Sequence, residues 1–175
     1  MKNFRLKFLL ILVFMISGTD FVIADEFPDG WLGRWEGKLL IKTASQSNEI
    51  DMTLEIQSIS DKTWQWSIIY GTGSSKIEKQ YELISVSPEK GTYILDEKNT
   101  IVLDMLFRNN TFFSVFSVAP NLVFAEYRME NRKIYFQVIS SDINNPNVTG
   151  SEGDNSAIVN SYVIHNTQTA VLEKK

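Results

Sequence analysis

The sequence predicts an all-β chain, folded as a single up-and-down antiparallel β-barrel of about ten strands. Three observations predict it. Apolar residues recur with a period of two in one segment after another, turn-forming residues fall every 8–12 residues or so, and no window of a dozen residues carries a helical period. The 11 Phe, 6 Tyr and 4 Trp among 175 residues add the aromatic content that pleated sheets favour.

The amino-terminal residues stand apart from this pattern. Lys2, Arg5 and Lys7 precede the apolar run Phe8 to Ile16, and Ser17-Gly18, a polar patch and Val22-Ile23 lead to Ala24 before Asp25-Glu26. A basic start, a short apolar centre and a small residue at the end read as a secretory signal peptide, cleaved after Ala24. The run is shorter than the roughly 20 residues that span a bilayer. Residues 1–24 are therefore expected to be a signal peptide and residues 25–175 a single barrel domain. The mature chain would be exported, periplasmic or extracellular, with no membrane span left.

The expected strands follow in order. In Arg34 to Lys42, Trp35, Gly37, Leu39 and Ile41 share one face. Ile50, Met52, Leu54 and Ile56 alternate with Asp51, Thr53, Glu55 and Gln57. Thr63 to Tyr70 sets Trp64, Trp66, Ile68 and Tyr70 on one side. Gly71-Thr72-Gly73-Ser74 turns into Ile77 to Val86, and Pro88 to Gly91 turns into Thr92 to Leu95. Asp96 to Asn99 is a hairpin loop before Ile101 to Phe107, where Ile101, Leu103, Met105 and Phe107 align. Arg108-Asn109-Asn110, Pro120-Asn121 and Glu130-Asn131-Arg132 separate Thr111 to Ala119, Leu122 to Met129 and Lys133 to Ile139. Asp142 to Ser156, rich in Asn, Gly, Ser and Asp, reads as a long exposed loop. Ala157 to Leu172 is the tenth strand. Both alternating sets are partly apolar in 111–119, 133–139 and 157–172, so period alone does not assign their inward faces. A sheet of so many sequential strands does best closed, because closure removes its edges.

Composition excludes several functions. Without Lys2, Arg5, Lys7 and Asp20, the 17 basic and 21 acidic residues fall to 14 and 20, a net charge near −6. An acidic chain without a basic run is unsuited to nucleic acid or to an anionic membrane surface. The absence of cysteine removes thiol catalysis and zinc–thiolate sites. With one histidine, His165, a zinc site lacks ligands, and no Gly-x-Ser-x-Gly turn presents a nucleophile to a triad. Asp96, Glu97 and Asp104 read as turn and surface carboxylates, not as a glycosidase pair. Asp142 and Asp154 lie in a segment that matches no EF-hand spacing. No catalytic residue and no metal site is expected.

The remaining candidates are ligand contacts. Trp64, Trp66, Tyr70, Met105, Phe107 and Tyr127 fall on presumed inward faces, and His165 near the end of the chain can bind a ligand or haem. Aromatic walls offer large apolar contact with a polar tip to orient a guest. The same side chains can equally fill the barrel. Arg128 is expected to face outward.

Trp31-Leu32-Gly33-Arg34-Trp35-Glu36-Gly37 opens the first strand, and its Gly33-x-Trp35 resembles the opening signature of lipocalins and related calycin barrels. The resemblance implies a Trp that closes the bottom of the barrel and a basic residue of the last strand, Lys174 or Lys175, packed across it. Trp31 to Leu39, Trp66 to Gly71, Asp96 to Asp104 and Val159 to Tyr162 together resemble a lipocalin-like family of secreted Bacteroidetes proteins without an assigned biochemical role. That implies a ten-strand calycin barrel and no activity. Gly33, Trp35 and Gly37 also resemble the start of haem-binding nitrobindin-like barrels, whose last strand supplies a His to iron. Here Thr167 takes that place and His165 lies two residues earlier, expected on the same face, a departure from the haem-binding pattern. The function these readings point to is non-enzymatic binding of a small apolar or amphipathic ligand inside the barrel. The alternatives are a filled barrel that meets an unidentified protein partner through its surface or the 142–156 loop and, further off, a haem carrier.

Overall fold

The computed structural model describes residues 27–150 and 157–175. The expected signal peptide lies outside them, as does the 151–156 portion of the long loop. Among the described residues twelve strands follow one another: β1 (Gly33–Thr43), β2 (Ser47–Ser60), β3 (Thr63–Tyr70), β4 (Ile77–Ser87), β5 (Thr92–Asp96), β6 (Val102–Arg108), β7 (Thr111–Val118), β8 (Asn121–Glu130), β9 (Lys133–Asp142), β10 (Asn147–Thr149), β11 (Val159–Ser161) and β12 (Ile164–Lys174). Ten of them form a closed antiparallel barrel in the order β1-β12-β9-β8-β7-β6-β5-β4-β3-β2. The first and last barrel strands seal it, from Trp35 opposite Lys174 to Thr43 opposite Asn166. All other barrel neighbours are consecutive along the barrel, so the all-β up-and-down expectation holds.

Two segments differ from the sequence reading. The stretch expected as an irregular loop from Asp142 is partly ordered: β9 runs through Asp142, and β10 pairs with β11 in a separate two-stranded ribbon. The long final strand expected from Ala157 is therefore split, with β11 in the ribbon and β12 in the barrel. Short β-branched runs flanked by Asn and Gly can pair locally, which composition alone does not reveal. Ile101 also leaves its expected face. It is 45% exposed and precedes β6, while Leu103, Met105 and Phe107 point inward.

The turns carry the geometry the ladder needs. Asn109-Asn110 and Asn131-Arg132 both adopt positive φ at each of two loop positions. This backbone matches the right-handed twist of the strands it joins. These turns, with the β2–β3 and β4–β5 connections, the first described residues from Phe27 and the carboxyl terminus, lie at one end of the barrel, here called the base. The β1–β2, β3–β4, β5–β6 and β7–β8 connections and the ribbon lie at the other end, the mouth.

The lower half of the interior is filled with rings. Trp31 and Trp66 are fully buried, Phe112 likewise, and Trp64 and Tyr93 nearly so. Phe112 packs on Phe107 at 4.6 Å between ring centroids, on Tyr93 at 5.2 Å and on Trp31 at 5.3 Å. Phe27 enters from below and touches Trp64, Phe112 and Tyr93 edge-on. Each such ring removes roughly 150–250 Å² from water, and edge-to-face pairs add about 0.5–1.5 kcal/mol beyond burial.

Trp35 closes the base beside this cluster. Its indole N–H donates to the Trp31 carbonyl at 2.8 Å, and the Lys174 ammonium sits 5.2 Å from its ring centroid. The flanking glycines are there for space. Gly33 has φ +120 with Lys174 Cε 3.1 Å from where a Cβ would stand. A Cβ on Gly37 would run into the Val171 carbonyl across the β1–β12 seam.

Candidate functional site

Strand alternation sends the positions below the mouth inward. On the side formed by β7, β8, β9, β12 and β1 they enclose an open cavity of about 420 Å³. Val118, Val123 and Val138 supply its apolar wall. Thr43, Asn121, Ser140, His165, Asn166 and Gln168 supply its polar one. The change in character runs along β12 itself: Leu172 and Ala170 are buried in the core, and the same face continues upward as Gln168 and Asn166. The lower barrel is thus dry and aromatic, and the upper barrel is roomy and mixed.

A β-bulge brings His165 to this cavity. Ile164 pairs with Ser141 and Asn166 with Ser140, so His165 is an extra residue against the β9 ladder. A bulge breaks strict alternation and re-aims a side chain. Thr167, opposite Ile139 and Lys42, takes the outward position. The expectation that His165 and Thr167 share a face therefore fails, because the bulge lies next to His165 and the period of two does not survive it.

Asp142 stands at the rim close to His165. The Asn144 backbone N–H at 2.9 Å, the Asn145 side-chain amide and, more weakly, the nearby imidazole hold its carboxyl below the usual carboxylate range. The Asn166 side-chain oxygen is shut off from solvent and has no hydrogen-bond partner. A buried acceptor left unpaired costs about 1–3 kcal/mol.

The other expected ligand contacts lie deeper. Trp64, Trp66 and Met105 are buried, and Phe107 packs on the Phe112 cluster. Tyr127 is buried against Trp66, 5.1 Å between ring centroids, and Phe136, 5.0 Å. Tyr70 is half-buried on the opposite wall, beside Tyr81. Burial, then the neighbouring Tyr81, push the Tyr70 phenol up to about 12. Tyr127 is held well above its ordinary value, by burial first and by Tyr70 next. The Trp66 N–H, close to Tyr127 but without hydrogen-bonding geometry, works weakly the other way. These phenols stay protonated at neutral pH and act only as neutral donors and acceptors.

Of the expected contacts, only His165 lines the mouth cavity. The eight residues that join it there were not anticipated. Continuing the Trp35–Ile41 face one step to Thr43 and the Tyr127 face back to Val123 identifies two of them; the others lie on strands whose inward face the period does not assign, or depend on the ladder register.

Larger depressions lie elsewhere on the described residues. One, of about 570 Å³, crosses the outer face of β1, β12, β9 and β8, where Arg128 lies over the Tyr135 ring at 4.6 Å beside Glu126 and Glu130. Another, of about 720 Å³, lies at the base against Phe27, Tyr93, Phe107 and Met129. Tyr93 and Met129 are only 7% and 6% exposed, so little of their surface is open to a guest. Asp104 is on the outer face, Asp96 ends β5 and Glu97 follows it in the β5–β6 connection. Among the described residues, no three His, Asp or Glu side chains come together as metal ligands.

The fold has known counterparts. The chain is similar to a crystallographic structure from Nostoc punctiforme, a protein with unknown function from the DUF3598 family, at a TM-score of 0.55 and 10% identity. The match covers 83% of this chain and 48% of that one, so this chain spans about half the length of that protein. It is also similar to EF1p2_mFAP2b, solved bound to DFHBI, at a TM-score of 0.38 and 11% identity, over 84% of this chain and 95% of that one. No protein-family model matches the chain. No curated protein matches it. The class established is a closed ten-strand antiparallel β-barrel with a structural counterpart of unknown function.

Proposed function

We propose that this chain is an exported lipocalin-like barrel that binds a small amphipathic molecule at its mouth without chemically altering it. The observation that carries the reading is the mouth cavity of about 420 Å³ above a base sealed by rings. Its volume falls in the range of small-molecule sites, roughly 300–1,000 Å³, and its apolar wall with a few convergent polar groups is the usual lining of one. The Gly33-x-Trp35 strand with Lys174 over Trp35 supports the lipocalin likeness, and the basic, then apolar, first 24 residues support export. The reading calls for no cofactor, metal or nucleic acid.

Native mass spectrometry of residues 25–175, purified from an exporting host, tests it. A bound mass that disappears on denaturation is expected. Val123→Trp, which fills the cavity from β8, should abolish that mass while the fold persists by circular dichroism. A clean apo mass after incubation with medium-chain amphiphiles sinks the reading.

A protein-interaction module is the second reading. It is favoured by exposed β-branched residues in and beside the ribbon, with Val148 62%, Val159 51% and Val163 67% exposed. Replacing these three by Ser should then abolish capture of its partner and leave ligand binding intact. Haem binding rests on His165 alone; a purified protein that shows no Soret band after haem addition removes it.

A further inference from the structure

The mouth's polar wall is built without a lysine or arginine. Its six polar side chains are two hydroxyls, three carboxamides and one imidazole, and among the described residues no lysine or arginine lines the cavity. Lys42 follows Ile41 and precedes the lining residue Thr43, but it takes the alternate outward position opposite Thr167. A negative charge stands beside His165: Asp142, held ionised by Asn144 and Asn145. The chain as a whole is acidic, −4 at pH 7.

These facts select among amphiphiles. A carboxylate entering a half-enclosed site gives up solvation that only a cation or several donors return. A hydroxyl gives up less, and it both donates and accepts, as do the carboxamides that would meet it. Asn166 adds a requirement of its own. Its Oδ1 is an acceptor without a partner, and its half-buried side chain lines the cavity. A donating head group seated against Asn166 would pair that oxygen once rotation about χ2 turned it toward the cavity. An ionised carboxylate has no hydrogen to give.

We infer that the mouth selects uncharged amphiphiles whose head groups carry hydroxyls, with Asn166 and Gln168 on the head and Val118, Val123 and Val138 on the chain, and that it discriminates against fatty carboxylates of the same length. The inference rests on the proposed binding reading and names the ligand class for it.

Decanoate, its glycerol monoester and decylamine provide matched chains with three heads. Their affinities for residues 25–175 are measured by calorimetry at about pH 8, where the carboxylate is ionised. The glycerol ester should bind at least about tenfold more tightly than decanoate, a difference worth about 1.4 kcal/mol. Gln168→Arg should reverse the order, and Asn166→Leu should weaken the ester several-fold while leaving decanoate little changed. Circular dichroism and thermal melting confirm that both variants fold. Equal or tighter binding of decanoate or decylamine by the unaltered protein overturns the head-group inference and leaves the cavity reading standing. Binding of none of the three overturns both. A preference for the ester that neither variant alters overturns the assignment to Asn166 and Gln168.

Discussion

Trp35→Phe probes the base of the barrel, and its cost follows from three contacts. Trp35 is 1% exposed, donates its indole N–H to the Trp31 carbonyl at 2.8 Å, and carries Lys174 at 5.2 Å from its ring. Contraction from indole to phenyl opens about 40 Å³, which at ~24 cal/mol per Å³ costs about 1 kcal/mol. Loss of the donor leaves a buried carbonyl unpaired, for about 1–2 kcal/mol more. The weaker aromatic face lowers the cation–π attraction by a few tenths of a kcal/mol. The sum is about 3 kcal/mol. For a chain of this size that is a fall in Tm of about 6–12 °C. Urea denaturation followed by circular dichroism measures it, with Lys174→Met as the partner in a double-mutant cycle. The cycle should return a coupling near 0.5 kcal/mol. A Trp35→Phe loss below about 1 kcal/mol would refute the reasoning, since it would mean that neither the hydrogen bond nor the fit of the ring matters.

Further outcomes are expected elsewhere. Alkaline pH should destabilise the barrel between about pH 10 and 12. The unfolded Tyr70 ionises near 10 and the folded one only at about 12, so the unfolded chain loses its proton first; the stabilising contribution is complete below pH 10 and is lost as pH climbs to 12. Its size is about 2–3 kcal/mol. Tyr70→Phe should flatten this slope in a stability–pH series, and an unchanged slope would show that Tyr70 is not the source. Gly37→Ala places a methyl against the Val171 carbonyl, so it should cost several kcal/mol and raise hydrogen exchange first along the β1–β12 seam. Exchange that stays slow there would show that the seam can shift to make room. Phe112→Ala, at the centre of the ring cluster, should cost about 3–5 kcal/mol by thermal melting. A loss below about 2 kcal/mol would indicate that the surrounding rings collapse into the space.

The barrel was legible because its strands obey the period of two wherever one face is apolar and the other charged. Met52, Leu54 and Ile56 against Asp51 and Glu55 leave no choice of face. Where both faces carry apolar residues, register decides. Phe112 is buried and Phe113 is its outward neighbour, yet the two are chemically the same. Only pairing of Phe112 with Tyr127 and Phe107 separates them. The mouth was not legible for a related reason. Its lining comes from five strands, joined by cross-strand pairs distant in sequence. Its polar members read as surface residues because the upper interior is wet enough to hold them. The aromatic residues that looked like a ligand wall pack against one another, since Trp31 and Phe27, from before the first strand, complete their cluster.

The bulge at His165 gives the mouth a freedom that other positions lack. Below it, Asn166, Gln168, Ala170 and Leu172 keep their partners on β9, and above it Ile164 pairs with Ser141. The extra residue adds a side chain to the cavity and leaves the pairs on either side of it in place, Ile164 with Ser141 and Asn166 with Ser140. Its identity can vary, or it can be deleted, with the ladder on both sides in register. Variants at this one position should retune which guests the barrel accepts at little cost in stability, an economical handle for selection or for design.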